Sequence, residues 1–531
     1  MGLGKRVLLL CLFGACILGK LSGINVARNG VLELSVSDES TGSQIPARVR
    51  IRDHNGQDHA PDSAVTVPIA QDRWFAAFGP TRIRIPAGAV SIRVERGTEY
   101  RPVVQTINIG ANETVRHEVK LKRWINMREH GYVCGENHLH VPIDRLPVML
   151  AAEGLNFGTA LSWWNGPNLD VSAGSGWIRE LQYDNETIPS SLYDAEVEHS
   201  WGAVYLVGLR EPLSIPSDGR RSNLPFVKTA RNQGALICYQ AGWSREVLID
   251  ALLGYVDVVN VCNNNFHRHK YQPRRRYSNL LDVDGFPEYP NTPEGMLRMN
   301  FETYYRLLDC GLRLAAGAGS ATGAKTTPVG YNRTYVRAGT NPTLAQFLEA
   351  WRKGRNFVTN GPMIFLRTDM DQHPGDTIAL PSAGGTVSFQ VTAYSEQPLR
   401  SLELVANGRV AGKANIGTKQ YEAKLSLSLP IEEGAWIAAR CTEEDQLLLD
   451  EQLRRYSRAG SLPEEPCRLR YAHTSPIYAT VGGKGPYVPS SVKEAQEMLK
   501  SFERFARKTT AGEYLDEILR VLPEQIKSVQ D

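Results

Sequence analysis

The sequence predicts an α/β protein: a closed or nearly closed (β/α) barrel with a β-sandwich module before it and a second β domain after it. Three observations carry this expectation. Between residues 124 and 360, apolar runs alternate with amphipathic helical stretches, the pattern of parallel strands joined by helical crossovers. The stretch 24–123 reads instead as short alternating strands with turn residues between them (GVLELSVSD, PARVRIRD, TRIRIPAG, VSIRVERG), the mark of a small sandwich. Strand patterns return over 361–485 (MIFLRTD, GTVSFQVTAYS, SLELVANG, AKLSLSLP, AWIAARC), and a helical tail occupies 486–531.

At 531 residues the chain is too long for one core, and three domains of about 150 residues are the natural division. Its 42% hydrophobic content, 22% charged content and net charge of +3 are those of an ordinary globular protein. Nothing in that balance calls for a nucleic-acid partner.

Residues 1–23 read as an address rather than as fold. Lys5 and Arg6 precede an apolar run from Val7 to Leu18, followed by small and polar residues, which matches a secretory signal peptide. The expectation is an exported protein, periplasmic or extracellular, with a lipoprotein reading at Cys16 ranked second. No later stretch has the ~20 unbroken apolar residues of a transmembrane segment. Six cysteines follow the leader without CxxC spacing, so zinc ribbons are unexpected. Cys238 and Cys262 sit in apolar runs as small hydrophobes, and Cys441 and Cys467 flank a polar insertion that an oxidising compartment would allow them to bridge.

In the central region, the run GYVCGENHLH places His138 and His140 two apart on an extended segment. Side chains two apart on a strand share a face, so both imidazoles can reach one ion. A helix around Leu146 follows, then a strand ending at Trp163, Trp164 and Asn165. Next come a strand carrying Glu196 and Glu198 with its hairpin partner AVYLVGL, the helix PFVKTARNQ, and the strand ALICYQ ending in Gln240. The helix REVLIDALL, the strand VDVVNVC leading to Asn263 and Asn264, a long helix, and the strand LRLAAGAG before Ser320, Ala321 and Thr322 complete the sequence up to the helix TLAQFLEAWRKG. In a barrel these strand ends gather on one rim, which is where functional side chains collect.

The order of GYVCGENHLH, AAEGLNFG, LLDCGLRLAAGAGSATG, PVGYNRTYV, GRNFVTNGP and AHTSPIY resembles the CehA/McbA-type metallohydrolases of the PHP (polymerase and histidinol phosphatase) superfamily. The resemblance spans nearly the whole chain after the leader. It implies a distorted (β/α)7, TIM-like barrel that binds divalent metal and uses it to cleave ester, amide or phosphoester bonds. Carried over by position, His138 and His140 match the opening HxH, Glu136 the acidic residue before it, and Glu196 or Glu198 the carboxylate after the third strand. Trp163-Trp164 stands where the family has Asp-His, Gly202-Ala203 where it has Gly-His, and Ser320-Ala321-Thr322-Gly323 where it has Ser-Asp-x-His. The surviving set suits one ion.

Two imidazoles and a carboxylate with an open position form the ligand set of a mononuclear catalytic site, which zinc, manganese or iron would tolerate. Glu196 and Glu198 point to one side of their strand, so one can bind metal while the other serves as general base. His267, a few residues after the fifth strand, is a further candidate ligand, while His269 reads better as part of the basic loop 267–277 (HRHKYQPRRRY). Trp163 and Trp164 offer stacking surfaces for a carbohydrate-like or other small-molecule substrate, with Asn165, Gln240, Asn263 and Asn264 as hydrogen-bonding partners. Three readings follow: an exported metal-dependent hydrolase, a non-catalytic relative that binds a carbohydrate or other polymer, and a structural envelope protein. In the tail, Ser491 to Glu494 reads as a capping box, and Met498, Leu499, Phe502 and Phe505 form a packing stripe at helical spacing.

Overall fold

The computed structural model describes residues 29–69, 72–167, 176–183, 186–199, 201–215, 222–242, 244–266, 289, 293–325, 327–443, 469–509 and 512–528. The leader, the basic loop with His267 and His269, Cys467 and the insertion before it lie outside the described residues. The expectations of export, of a His267 ligand and of a Cys441–Cys467 bridge therefore have no structural counterpart.

The first module is a β-sandwich. Thr81–Pro86, Asn29–Asp38 and Thr114–Leu121 form one sheet, and a second is ordered Thr66–Ile69, Asp72–Ala77, Ala47–Asp53, Gly88–Glu95, Val103–Ile109, with Asp58–His59 paired to Ala47–Asp53. Alternation decides which side chains enter the core: Leu32, Leu34 and Val36, with Ile83 and Ile85 beside them in the same sheet, face Val49, Ile51, Val90, Ile92 and Val94. The first strand runs parallel to the last, from Val31 opposite Thr114 to Asp38 opposite Leu121.

The central region corrects the expected barrel. Its strands do not close into a parallel ring; they form a mixed seven-stranded sheet ordered Gly158–Trp164, Glu186–His199, Gly202–Val207, Leu236–Gln240, Val258–Cys262 and Ala315–Ala318, with Ile178–Tyr183 at the side. Glu186–His199 pairs antiparallel with Gly202–Val207, which pairs antiparallel with Leu236–Gln240. The hairpin turn between the first two has no room for a crossover helix, so parallel pairing is excluded there. Tyr132–Gly135, expected as the first barrel strand, belongs to another sheet and pairs antiparallel with Arg333–Arg337. A lone Gly135–Phe157 bridge joins it to the mixed sheet. The TIM-like barrel is thus replaced by a strand-rich assembly with short helices packed on it.

That other sheet has nine strands. Tyr132–Gly135, Arg333–Arg337 and Asn356–Thr359 come from the central region; Tyr471–Thr474, Ala435–Glu443, Leu399–Ala406 and Arg409–Lys413 continue it, and Ile477–Val481 with Thr377–Leu380 branch from it. The expected boundary at 360 therefore falls inside one continuous sheet. A three-stranded sheet of Met363–Thr368, Gly385–Tyr394 and Glu422–Ile431 packs on it through Ile364, Leu366, Phe389 and Val391 against Leu402, Leu404 and Ile437.

Helix Leu344–Arg352 starts at a capping box in which Thr343 and Gln346 each satisfy the other's backbone N–H. The tail differs from its expected box. Helix Pro489–Thr509 already includes Ser491, whose hydroxyl donates to Asp309 at 2.7 Å, while Glu494 pairs with Arg306 at 2.7 Å. Met498, Leu499 and Phe502 are buried, and Phe502 and Phe505 meet Trp201 at 5.3 and 5.2 Å between ring centroids. Among the described residues no helix is long and apolar enough to cross a membrane.

Strand Tyr471–Thr474 carries a buried histidine with both ring nitrogens used. Nδ1 of His473 donates to the Thr474 carbonyl at 2.6 Å, and Nε2 accepts from the Tyr305 hydroxyl at 2.8 Å. Burial, aided by Arg440, depresses its pKa from 6.5 to about 3. The neutral ring's contribution is therefore complete above pH 6.5 and is lost as pH falls toward 3, at about 1.4 kcal/mol per unit. Urea unfolding should show roughly 2 kcal/mol less stability at pH 4.5 than at pH 6.5 from this group, and His473→Gln should remove that part of the slope. An unchanged slope in the variant would refute the assignment.

Candidate functional site

Beyond Gly135 the chain leaves its strand and bends at Asn137, so the histidines sit past the strand rather than on it, and the backbone of residues 138–140 is clasped on both sides. Ala321 N donates to His138 O at 2.9 Å, His140 N to Thr322 O at 2.8 Å, and Leu161 N to Leu139 O at 3.1 Å. Leu139 points into the core, so the flanking histidines face the opposite way together. The clasp needs glycine: a Cβ on Gly323, whose φ is +98°, would lie 2.0 Å from the His140 carbonyl oxygen, and one on Gly319 would lie 2.5 Å from His138 Cβ. The GSATG stretch supplies close backbone approach where ligands were sought.

Glu196 reaches the histidines from strand Glu186–His199. Its Oε2 lies 3.3 Å from His138 Nε2 and 2.8 Å from His140 Nε2, and the two Nε2 atoms are 3.1 Å apart. Ligands at ~2.0–2.1 Å around a tetrahedral ion are separated by about 3.3 Å, close to this spacing. The two imidazoles share an Nε2–Nε2 hydrogen bond, while two buried polar atoms of the cluster, Glu196 Oε2 and His140 Nδ1, have no aligned hydrogen-bond partner. This is the one group of three or more His, Cys, Asp or Glu side chains with metal-holding geometry among the described residues, and its donors suit zinc, manganese or iron.

The electrostatics favour the ligand forms. Burial lowers the pKa of His138, against the pull of Glu196, the direction that favours a neutral ring. Burial alone would raise Glu196, but His138 and His140 overcome it and hold the carboxyl at about 2. Glu198 is pushed up by its own burial and by the charge of Glu196, the direction that suits a general base.

Glu136 is not a ligand here. Its carboxyl turns away from the histidines and accepts from Ser320 N at 2.8 Å, from Ser320 Oγ at 2.9 Å, and from Gly330 N. Burial pushes it up to about 8. Glu136 thus anchors the loop that clasps the two histidines. Glu198 also stands outside the cluster, its Oε2 accepting from Trp164 Nε1 at 3.1 Å.

The two tryptophans separate. Trp163 is 3% exposed and packs near Phe226 in the core, whereas Trp164 is 39% exposed with its ring 4.4 Å from that of His140. Trp164→Ala should therefore cost no more than about 1 kcal/mol in thermal or urea unfolding, as for other part-exposed positions. A loss of core size would instead make it a packing residue.

Most of the expected substrate-binding amides are occupied. Asn165, at φ +54°, exchanges hydrogen bonds with the Glu198 backbone, donating to O at 2.5 Å and accepting from N at 2.8 Å. Gln240 accepts from the Tyr205 hydroxyl at 2.5 Å, and Tyr205 lies against the ring of His138 at 4.2 Å. Asn263 donates to Asn260 O and accepts from Asn265 N, forming a turn. Asn264 keeps a buried Oδ1 without a partner. Sequence reasoning missed Asn332, whose side chain donates to the carbonyls of Asn263, Phe266 and Gly319, and the reciprocal Asn137–Asn260 pair. Their one signal was polar residues interrupting apolar strands.

No family model matches the chain, and no curated protein matches it. The CehA/McbA and PHP resemblance thus receives no support from them. Among solved structures, a minor pilin of Streptococcus agalactiae, GBS52, is similar over 19% of this chain and 46% of its own, at 14% identity and a TM-score of 0.16. The Bacillus anthracis TIE protein is similar over 34% of this chain and 30% of its own, at 13% identity and a TM-score of 0.15. This chain thus spans less than half of either, and neither likeness bears on the site.

Proposed function

We propose that this protein is a metal-dependent hydrolase whose centre is His138, His140 and Glu196. The observation that carries the reading is the convergence of three buried donor atoms at 2.8, 3.1 and 3.3 Å. A divalent ion held by these three residues would supply Lewis acidity and lower the pKa of water toward neutrality. Glu198 would serve as the general base, accepting a proton from the attacking water and returning it to the leaving group of an ester, amide or phosphoester. Trp164 holds the Glu198 carboxylate in place and shields one side of His140 from solvent.

A second reading rests on the exposed face of Trp164, which suits a sugar ring whether or not a bond is cleaved. One variant separates the two. With the protein metal-loaded and assayed on chromogenic esters, amides and phosphodiesters, Glu198→Gln should lower kcat by about 10²–10⁴-fold while leaving metal affinity within a few-fold. If the loaded, unmodified protein turns over nothing in the panel yet binds glycans, the hydrolase reading is lost and the binding reading stands.

A further inference from the structure

A cavity of about 180 Å³ lies where the first sandwich, the central region and the last β region meet. It is far larger than the roughly 10–15 Å³ by which a cavity first admits a water. Its wall is charged: Arg48, Arg93, Arg333 and Arg470 stand against Glu95, Glu153 and Glu396. Arg470 is matched by Glu443 at 3.7 Å and Glu396 faces Arg101 at 4.0 Å, so with these partners counted five guanidinium groups and four carboxylates leave a formal excess of one positive charge.

The excess can be traced to particular atoms. Arg48 is 4% exposed; its Nε donates to Glu153 Oε1 at 2.5 Å and its Nη2 to Glu95 Oε2 at 2.6 Å, but its buried Nη1 has no partner among the described residues. Arg333 is 2% exposed and bonds only to uncharged groups: the Gly330 carbonyl at 2.6 Å, the Glu153 carbonyl at 3.3 Å, and Cys134 Sγ at 3.8 Å. Buried guanidinium groups are ordinarily paired with a carboxylate, because an unpaired buried charge costs several kcal/mol. Room has also been kept beside it. Gly97 and Gly330, both in the left-handed region at φ +53° and +68°, leave space where a Cβ would come within 3.0 Å of an Arg333 Nη atom.

We propose that this cavity binds a small carboxylate monoanion, which completes the charge balance of Arg48 and Arg333. One negative charge matches the excess, and a dianion would leave the cavity negative. The planar carboxylate fits the guanidinium fork, and Tyr100, Trp124 and Tyr331 give the wall aromatic surface for a short apolar remainder. The site is separate from the His138 cluster, and its test does not depend on metal or turnover.

The test is a thermal-shift titration of the full chain with sodium acetate and with inorganic phosphate, against sodium chloride at equal ionic strength. Acetate should raise Tm saturably, beyond chloride and phosphate. Glu396→Gln, which removes a negative charge from the part-exposed edge of the cavity, should tighten the acetate response at least threefold. Arg48→Met should weaken it at least tenfold. An acetate response no larger than that of chloride, a preference for phosphate, or a midpoint that does not tighten in Glu396→Gln would each overturn the proposal, the last without relying on the fold of the Arg48 variant.

Discussion

His138→Ala should abolish stoichiometric uptake of divalent metal at micromolar concentrations of ion. The unmodified protein should take up about one Zn²⁺ or Mn²⁺ per chain by calorimetry and elemental analysis, and the variant should lose at least ~100-fold in affinity, since even the outer partners of metal ligands are worth 10–100-fold. Glu196→Ala should match it, because each supplies one of the three donors found among the described residues. Glu198→Gln should not, since that carboxylate is engaged with Trp164. Equal uptake by all four proteins would remove the metal centre, and with it the hydrolase, leaving the fold as described.

Glu136→Ala should destabilise the protein more than any other single change considered. Three donors converge on this fully buried carboxyl. Ser320 Oγ can turn to the Asn332 carbonyl, 3.3 Å away, but the N–H groups of Ser320 and Gly330 would be left buried without an acceptor. At ~1–3 kcal/mol for each unsatisfied group, plus the cavity left behind, the loss should be about 4–6 kcal/mol in urea unfolding. The loop at 319–323 clasps His138 and His140, so metal affinity should fall as well. A loss below about 1 kcal/mol would show that the loop is held by something other than Glu136.

Much of the site was readable because it depends on local geometry. Side chains i, i+2 on extended chain share a face whatever sheet it joins, which points His138 and His140 the same way, but the same rule could not tell Glu196, which joins them, from Glu198, which does not. What an apolar run cannot carry is direction: a strand buried on both faces looks alike whether its neighbour runs parallel or antiparallel. Gly202–Val207 and Leu236–Gln240 are antiparallel despite the helix between them, and the expected barrel was lost there. Long-range partners were equally hidden. Nothing near Glu136 in the sequence announces Gly330, and nothing in Trp163-Trp164 says that the first faces Phe226 and the second His140.

The nine-stranded sheet has a consequence for how such a protein could arise and be altered. Its strands come from both sides of residue 360, and Tyr471–Thr474 inserts beside Asn356–Thr359 after more than a hundred intervening residues. A recombination event that cut at 360 would strip Asn356–Thr359 of one neighbour and expose its hydrogen-bonding edge, a template for association with other chains. The two halves can therefore be inherited only together. By contrast, the first sandwich shares no sheet with the rest and closes on itself through the pairing of Asn29–Asp38 with Thr114–Leu121, so what a transfer of that module would sever is side-chain pairing, chiefly buried Arg48 with Glu153.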